Sequence, residues 1–276
     1  MQLPVMPMIA RETRLFFTAW MFFTRVPLPA GLVAWVGFSP ELLNASARHF
    51  PLVGMLVGGM AAVVLLAGTW LFTPLVAVAL SMTATILMTG AFHEDGLADS
   101  VDGFGGSHLR ERVLEIMKDS RIGTFGAVAL VCVLLIKFSA LVSLVEAGNA
   151  ELAAAVLIAG HALSRAAAST LIRLLPYARA EDPSAKAKPL AESISLAGLV
   201  FAWLVALLPL MAITWLFEAG WVGWLGLAPV ALATWGAGSY FMHRIGGYTG
   251  DCLGATQQIA EVVFLLFVVA VSQGAS

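Results

Sequence analysis

The chain has 276 residues, of which 60% are hydrophobic and 12% charged, with a formal net charge of −2. Its mean hydropathy is +0.90, whereas soluble domains carry about 25% charged residues. This composition excludes water-soluble function classes, gives no basic surface for nucleic acid, and describes an all-α integral membrane protein with several spans.

Residues 1–49 form an N-terminal segment. Within it, residues 8–23 are aromatic around much of a helix and end at Arg25, Pro27 and Pro29. No small-residue cleavage site follows, so this is not a signal peptide. The pattern predicts an interfacial helix, with a re-entrant or eighth span as the alternative. Seven spans follow by length and apolarity, at roughly 50–72, 74–93, 124–146, 151–173, 196–217, 220–241 and 256–273. Gly54, Gly58 and Gly59 in the first have the small-residue spacing that lets helices approach closely.

Thirteen of the 15 Lys and Arg residues fall on one side if these spans alternate. They are Arg11, Arg14, Arg25 and Arg48, then Arg110, Arg112, Lys118 and Arg121, then Arg173, Arg179, Lys186 and Lys188, and last Arg244. The opposite connections carry none. By the positive-inside rule the long loops at 94–123, 174–195 and 242–255 are cytoplasmic, and the protein is expected as a multi-pass protein of the cytoplasmic membrane with its N-terminus inside. The loop at 174–195 reads as a mobile lid. The whole chain reads as one membrane domain.

The second span runs into His93-Glu-Asp-Gly-Leu-Ala-Asp-Ser-Val-Asp-Gly103. Asp95, Asp99 and Asp102 are spaced i, i+4, i+7, which on a helix stacks them within roughly 60° of one another. Three like charges at that spacing repel, so a cation is expected between them. Hard oxygen ligands suit Mg²⁺ shared with a substrate phosphate. The plain alternative, a solvated acidic helix end, sits poorly with the interleaved Gly96, Leu97, Ala98, Val101 and Phe104. Glu94 lies off the stripe, and His93 reads either as a donor to a carboxylate or phosphate or as a plain interfacial histidine.

Leu109, Val113 and Met117 recur at i, i+4, i+8, predicting an amphipathic helix over 108–118 that lies on the membrane face. Lys118-Asp119-Ser120-Arg121 then sets two cations and a carboxylate before the third span; Arg and Lys are the usual clamps on a transferring phosphoryl group. Headgroup contact is the alternative for Arg110 and Arg112. Gly246-Gly-Tyr-Thr-Gly-Asp-Cys-Leu-Gly254 is a glycine-rich turn before the last span, with backbone N–H groups that suit phosphate oxygens. It lacks the Gly-Lys-Ser/Thr of a Walker loop, and a tight packing turn is its plain reading. Lys137, Arg165 and Glu261 are charges within spans. Each is costly unless paired or lining a wet cavity, so they mark either a structural ion pair or substrate contacts. Cys132 and Cys252 form no metal or disulfide pattern.

At these motifs the chain resembles the cobalamin synthase (adenosylcobinamide-GDP ribazoletransferase) family. The resemblance spans nearly the whole chain. It covers Phe23-Thr-Arg-Val-Pro-Leu-Pro29, Phe50-Pro-Leu-Val-Gly54, Gly90-Ala-Phe through Gly103, Leu114-Glu-Ile-Met-Lys-Asp-Ser-Arg-Ile-Gly-Thr124, Ser164-Arg165 and Gly247-Tyr-Thr-Gly-Asp-Cys-Leu-Gly-Ala255. The resemblance implies a Mg²⁺-dependent transferase late in vitamin B12 assembly. Adenosylcobinamide-GDP and α-ribazole, or its 5′-phosphate, would give adenosylcobalamin, or its phosphate, and GMP. On this reading Asp95, Asp99 and Asp102 hold Mg²⁺ on the pyrophosphate. Asp119 or Asp251 completes the metal shell or acts as base, and Arg121 and Lys118 stabilise the leaving GMP. His93, Glu94, Lys137, Arg165, Gly247, Thr249 and Gly250 contact substrate. The implied partners are the two substrates and the bilayer; self-association or docking of pathway enzymes stays open. The competing readings are a CDP-alcohol phosphotransferase or prenyltransferase, whose Asp-rich patterns this chain does not reproduce, and a transporter.

Overall fold

Proline and serine set many of the helix starts, and left-handed glycines set two of the ends. The computed structural model describes residues 7–179, 191–217 and 222–274. Pro40, Pro51 and Pro74 lie in the first turns of their helices, where a missing N–H costs nothing. Ser39 and Ser195 cap theirs by accepting from Leu42 N and Gly198 N.

The elements in chain order are α1 (Met8–Phe23), α2 (Ala30–Val36), α3 (Pro40–Ser46), α4 (Phe50–Leu71), α5 (Pro74–Thr89), α6 (Phe92–Gly106), α7 (Arg110–Ile116), α8 (Thr124–Glu146), α9 (Ala150–Leu174), α10 (Leu196–Leu216), α11 (Val222–Leu225), α12 (Leu227–Ile245) and α13 (Gly250–Gly274). A 3₁₀ turn joins α3 to α4. Among the described residues the only bridge outside helices pairs Tyr177 with Tyr248. The fold is the expected all-α polytopic bundle.

Helices stand at all seven expected spans. Among the described residues five helical segments are long and apolar enough to cross a membrane: Pro40–Leu71, Thr124–Glu146, Ala150–Leu174, Leu196–Leu216 and Gly250–Gln273. α5 has 16 residues, or about 24 Å, short of a hydrocarbon core of about 30 Å. It passes the same test only together with α6, across a bend of 85°. α12 ends in Tyr240, His243 and Arg244, which dilute its apolar run. Half of the segment 174–195, expected as a lid, lies outside the described residues, at 180–190.

α9 is the central helix and is buried along most of its length. α4 crosses it closely because of two glycines. A Cβ on Gly54 would lie 2.9 Å from the His161 carbonyl carbon, and one on Gly58 would lie 2.7 Å from Ile158 Cα. Gly59 meets nothing, so the small-residue contact is Gly54 and Gly58 alone. The main core, including Leu65, Leu141, Leu144, Leu163, Leu210 and Phe264, fills the space among α4, α8, α9, α10 and α13.

Both acidic and glycine-rich "loops" turn out to be largely helix. The chain bends at Gly90 (φ 66°, ψ 38°) and Ala91 (φ 57°, ψ 24°), two successive left-handed residues. For alanine that conformation costs about 1–2 kcal/mol. The Arg25 side chain packs against the bend, within 2.8 Å of where a Gly90 Cβ would sit, and Arg25 N donates to Met88 O at 2.7 Å. α6 therefore turns away from the span instead of extending it. The expected helix over 108–118 is α7, but its Val113 and Met117 are fully or nearly buried against protein. Only Leu109, at 71% exposure, stays outside. That stripe covers Gly103 of α6, 2.7 Å from Met117 Cγ at its missing Cβ, in place of the membrane face.

Candidate active site where α6 crosses α13

The site is built by a glycine–glycine crossing. A Cβ on Gly96 would lie 3.0 Å from Asp251 O and 3.2 Å from Gly254 Cα, and one on Gly254 would lie 3.2 Å from His93 O. The backbones of α6 and α13 thus touch. Asp95 and Asp99, flanking Gly96, share this crossing with Asp251. Asp95 is exposed, and Asp99 and Asp251 are half-buried.

Asp102 has a different environment. It is 8% exposed. Its two carboxylate oxygens accept from Gly123 N at 2.7 Å and Gly126 N at 2.8 Å. The positive partner that the aspartate ladder required is here the N-terminus of α8, whose amides and dipole favour an anion. Gly123 and Gly126 are glycines because a Cβ on either would come within 2.9 Å of the Asp102 carboxyl carbon. Among the described residues no three His, Cys, Asp or Glu side chains are arranged to hold a metal ion. Two carboxylates can nevertheless serve Mg²⁺, which commonly takes one or two protein carboxylates and completes its shell with water and substrate phosphate. By the chemistry of their oxygen donors, Asp95 and Asp99 fit that pattern.

Cations reach the crossing from two sides. Arg179 donates to Leu114 O at 3.3 Å and approaches Asp251 Oδ2 at 3.5 Å. Thr249 Oγ1 lies 3.8 Å from Met117 Sδ, which brings the segment beginning at Lys118 beside the start of α13. Asp119 and Arg121 form their own exposed fork, with Arg121 Nε 3.0 Å from Oδ1 and Nη2 2.6 Å from Oδ2. They lie before Gly123, at the Asp102 end of α6, roughly 10 Å along the helix from Asp95. The Arg121 guanidinium holds the Asp119 carboxyl down at about 2. A base with that pKa is fully ionised near neutrality and has little proton affinity. Asp119→Asn is therefore expected to leave both limbs of a pH–rate profile between pH 5 and 9 in place. A limb lost in that variant would restore Asp119 as the proton acceptor.

The glycine-rich segment is shorter than expected, because α12 runs to Ile245 and α13 begins at Gly250. Gly247 (φ 157°) packs its α-carbon on the Pro176 carbonyl, and Tyr248 N donates to Pro176 O at 3.0 Å. Tyr248 is buried, which pushes its phenol upward, and its hydroxyl donates to Ala191 O at 3.4 Å. Thr249 Oγ1 accepts from Cys252 N at 3.3 Å and caps α13. Gly247 and Thr249 are thus engaged in shaping the turn, and Gly250 lines a cavity beside it. Arg110 clamps the same region, donating to Ile245 O at 2.9 Å and Ala178 O at 2.8 Å.

The intramembrane charges divide. Lys137 pairs with Glu261, which also lies 3.4 Å from His161 Nδ1 and accepts from Gln257 Nε2 at 2.7 Å. This is the structural ion pair foreseen as an alternative for Lys137. Arg165 donates from Nη1 to His161 O at 2.9 Å and lines the cavity next to Gly250. Glu94 accepts from Gln258 Nε2 at 3.0 Å. His93 is buried and stacks on Phe23, 5.4 Å between ring centres. A role for Arg179 and the Gly96–Gly254 contact escaped the sequence reading, and Arg110, expected to face an anionic ligand or lipid headgroups, instead binds backbone carbonyls. The two glycines of that contact, each within an acidic motif, were its available signal.

The comparisons with known proteins agree along nearly the whole chain. The cobalamin-5-phosphate synthase family profile matches residues 15–269. The adenosylcobinamide-GDP ribazoletransferase of Leptothrix cholodnii is 48% identical over 262 residues, 95% of this chain and 97% of its own. The protein of that name from a Polaromonas species is 48% identical, covering 94% and 97%, and that from Shewanella amazonensis is 46% identical, covering 93% and 95%. No solved structure matches. With a match that takes in α6, α7 and the start of α13 together with the bundle that positions them, the chain belongs to the cobalamin-5-phosphate synthase family.

Proposed function

We propose that the protein is an adenosylcobinamide-GDP ribazoletransferase, joining adenosylcobinamide-GDP to α-ribazole or its 5′-phosphate and releasing GMP. The carrying observation is the α6–α13 crossing, where Gly96, between Asp95 and Asp99 in sequence, packs on the Asp251 backbone in segments that match the family. A ribazole hydroxyl oxygen bonds to the phosphorus that bears the cobinamide. The bond from that phosphorus to the GMP oxygen breaks, and GMP leaves with the electron pair. The hydroxyl proton passes to a carboxylate. Asp251 is assigned this role by its place at the crossing, whereas Asp119 is engaged in its own fork with Arg121 toward the far end of α6. Asp95 and Asp99 would hold Mg²⁺, which when bound neutralises pyrophosphate charge. Arg179 orients Asp251, and Lys118 approaches the leaving phosphate.

The 13 basic residues on one side of the alternating helices support a cytoplasmic active face in an inner membrane. A single cysteine introduced at Ser107, in a Cys-less background, should react with a membrane-impermeant thiol reagent only when added from the cytoplasmic side.

The test of function is GMP release by purified protein in detergent. Release is expected only with adenosylcobinamide-GDP, ribazole and Mg²⁺ together. GMP formed equally well without ribazole would make the protein a pyrophosphate hydrolase and overturn the transfer reading.

A further inference from the structure

Three helix ends meet beside the carboxylates and wall a cavity with aromatic rings. α1 ends in Phe22-Phe23, α4 begins with Phe50, and α6 begins with Phe92-His93. Phe23 meets Phe50 edge-on at 4.5 Å, Phe22 stacks on Phe50 at 5.8 Å, and Phe22 meets Phe92 at 5.2 Å. All four rings, His93 and Arg165 line one cavity. The Arg165 guanidinium lies over the Phe23 ring at 5.6 Å.

The polar atoms of this lining are short of partners. Arg165 is 2% exposed and His93 is 4% exposed. Arg165 Nε and Nη2 and His93 Nε2 have no hydrogen-bond partner among the described residues. A buried N–H left unpaired costs about 1–3 kcal/mol, and more on a charged group. Such a cost is recovered when a ligand supplies an acceptor. A bare phosphate suits the walls badly, because apolar rings would strip its water and return no hydrogen bonds. A flat, neutral heteroaromatic ring with one acceptor nitrogen suits both the rings and the guanidinium.

We infer that the Phe22–Phe23–Phe50–Phe92 cavity, floored by Arg165, is the subsite for the benzimidazole base of the ribazole substrate. This rests on the transfer reading above and deepens it. The base stacks among the phenylalanines, and its ring nitrogen not bound to ribose accepts from Arg165. The placement fits the chemistry outside. Gly250 and Gly254 line the cavity on either side of Asp251, and His93 lies two residues before Asp95. A base held here sets its ribose hydroxyls at the α6–α13 crossing. The clear space is about 30 Å³, against about 300 Å³ or more for typical ligand sites. The base therefore enters by displacing rings at the mouth, where Phe92 is 36% exposed.

The test is a KM split between the two substrates. Ala168 lines the cavity from α9, and Ala168→Phe fills it from outside the charged network. Phe92→Ala removes one wall at the exposed rim, where folding is least at stake. Each variant is expected to raise the KM for ribazole about tenfold, the scale of one lost aromatic contact, with the KM for adenosylcobinamide-GDP within twofold. Both variants are first checked for monodisperse elution and wild-type thermal unfolding. Unchanged ribazole KM in folded variants, or an equal rise in both KM values, overturns the base subsite. Absence of ribazole-dependent GMP release by the wild type would instead strike the transfer reading itself.

Discussion

Glu261→Gln is expected to loosen the whole bundle, at a cost of about 3–5 kcal/mol, the usual penalty for removing one partner of a buried ion pair. Glu261 is 3% exposed and Lys137 4%. The carboxylate on α13 meets Lys137 from α8 and His161 from α9. Without it, the Lys137 ammonium and the Arg165 guanidinium remain buried in apolar surroundings with Glu94 as the nearest remaining counter-charge. The loss would fall first on folding, because Lys137 does not line the cavity beside the carboxylate crossing, with a secondary effect on ribazole binding through Arg165, which does. Thermal unfolding in detergent reads the effect. Adding Lys137→Met to Glu261→Gln should recover part of the stability, since the stranded cation goes with its partner. A single variant as stable as the wild type would show that the pair does not hold the helices together.

Asp99→Asn is expected to lower Mg²⁺-dependent turnover by about 100-fold, near 3 kcal/mol of barrier, and to raise the Mg²⁺ concentration for half-maximal rate while the unfolding temperature stays put. Asp102→Asn should behave in the opposite way. One of its two oxygens becomes an NH₂ group, which cannot accept from Gly123 N or Gly126 N. Losing a buried acceptor of this kind costs about 1–2 kcal/mol of stability. The Mg²⁺ dependence of the remaining activity should be unmoved. Steady-state kinetics across a Mg²⁺ titration, with unfolding curves for both variants, separates the two roles. Near-normal turnover in Asp99→Asn would remove Asp99 from the metal-binding carboxylates.

The expectation that Asp95, Asp99 and Asp102 share one role came from their common stripe on a helix. That stripe exists, since α6 covers Phe92–Gly106. What a helical period cannot state is which neighbour covers each turn. At Asp102 the neighbour is the start of α8; at Asp95 and Asp99 it is the start of α13. The same limit explains the glycine-rich segment. Its glycines invited a phosphate loop, yet Gly247 packs on Pro176, and Asp251 and Gly254 belong to a helix that crosses α6. Polar residues at a helix start resemble a loop in sequence because both interrupt an apolar run.

By itself the sequence determined the membrane class, the places of the helices, the close approach at Gly54 and Gly58, and the helical stripe that carries the three aspartates. These follow from composition and from periods of three to four residues, which are local properties. Only the tertiary structure decided how the charges are spent. It gave Asp102 to the amides of α8 and Lys137 to Glu261, brought the Asp251 backbone onto Gly96, and gathered four phenylalanines from three helix ends around Arg165. Each of these is a contact between residues far apart in the chain, set by the 85° bend after α5 and by two glycines that let backbones touch. A bend angle has no signature within a single helix, and glycines mark a helix as able to approach another closely without naming its partner.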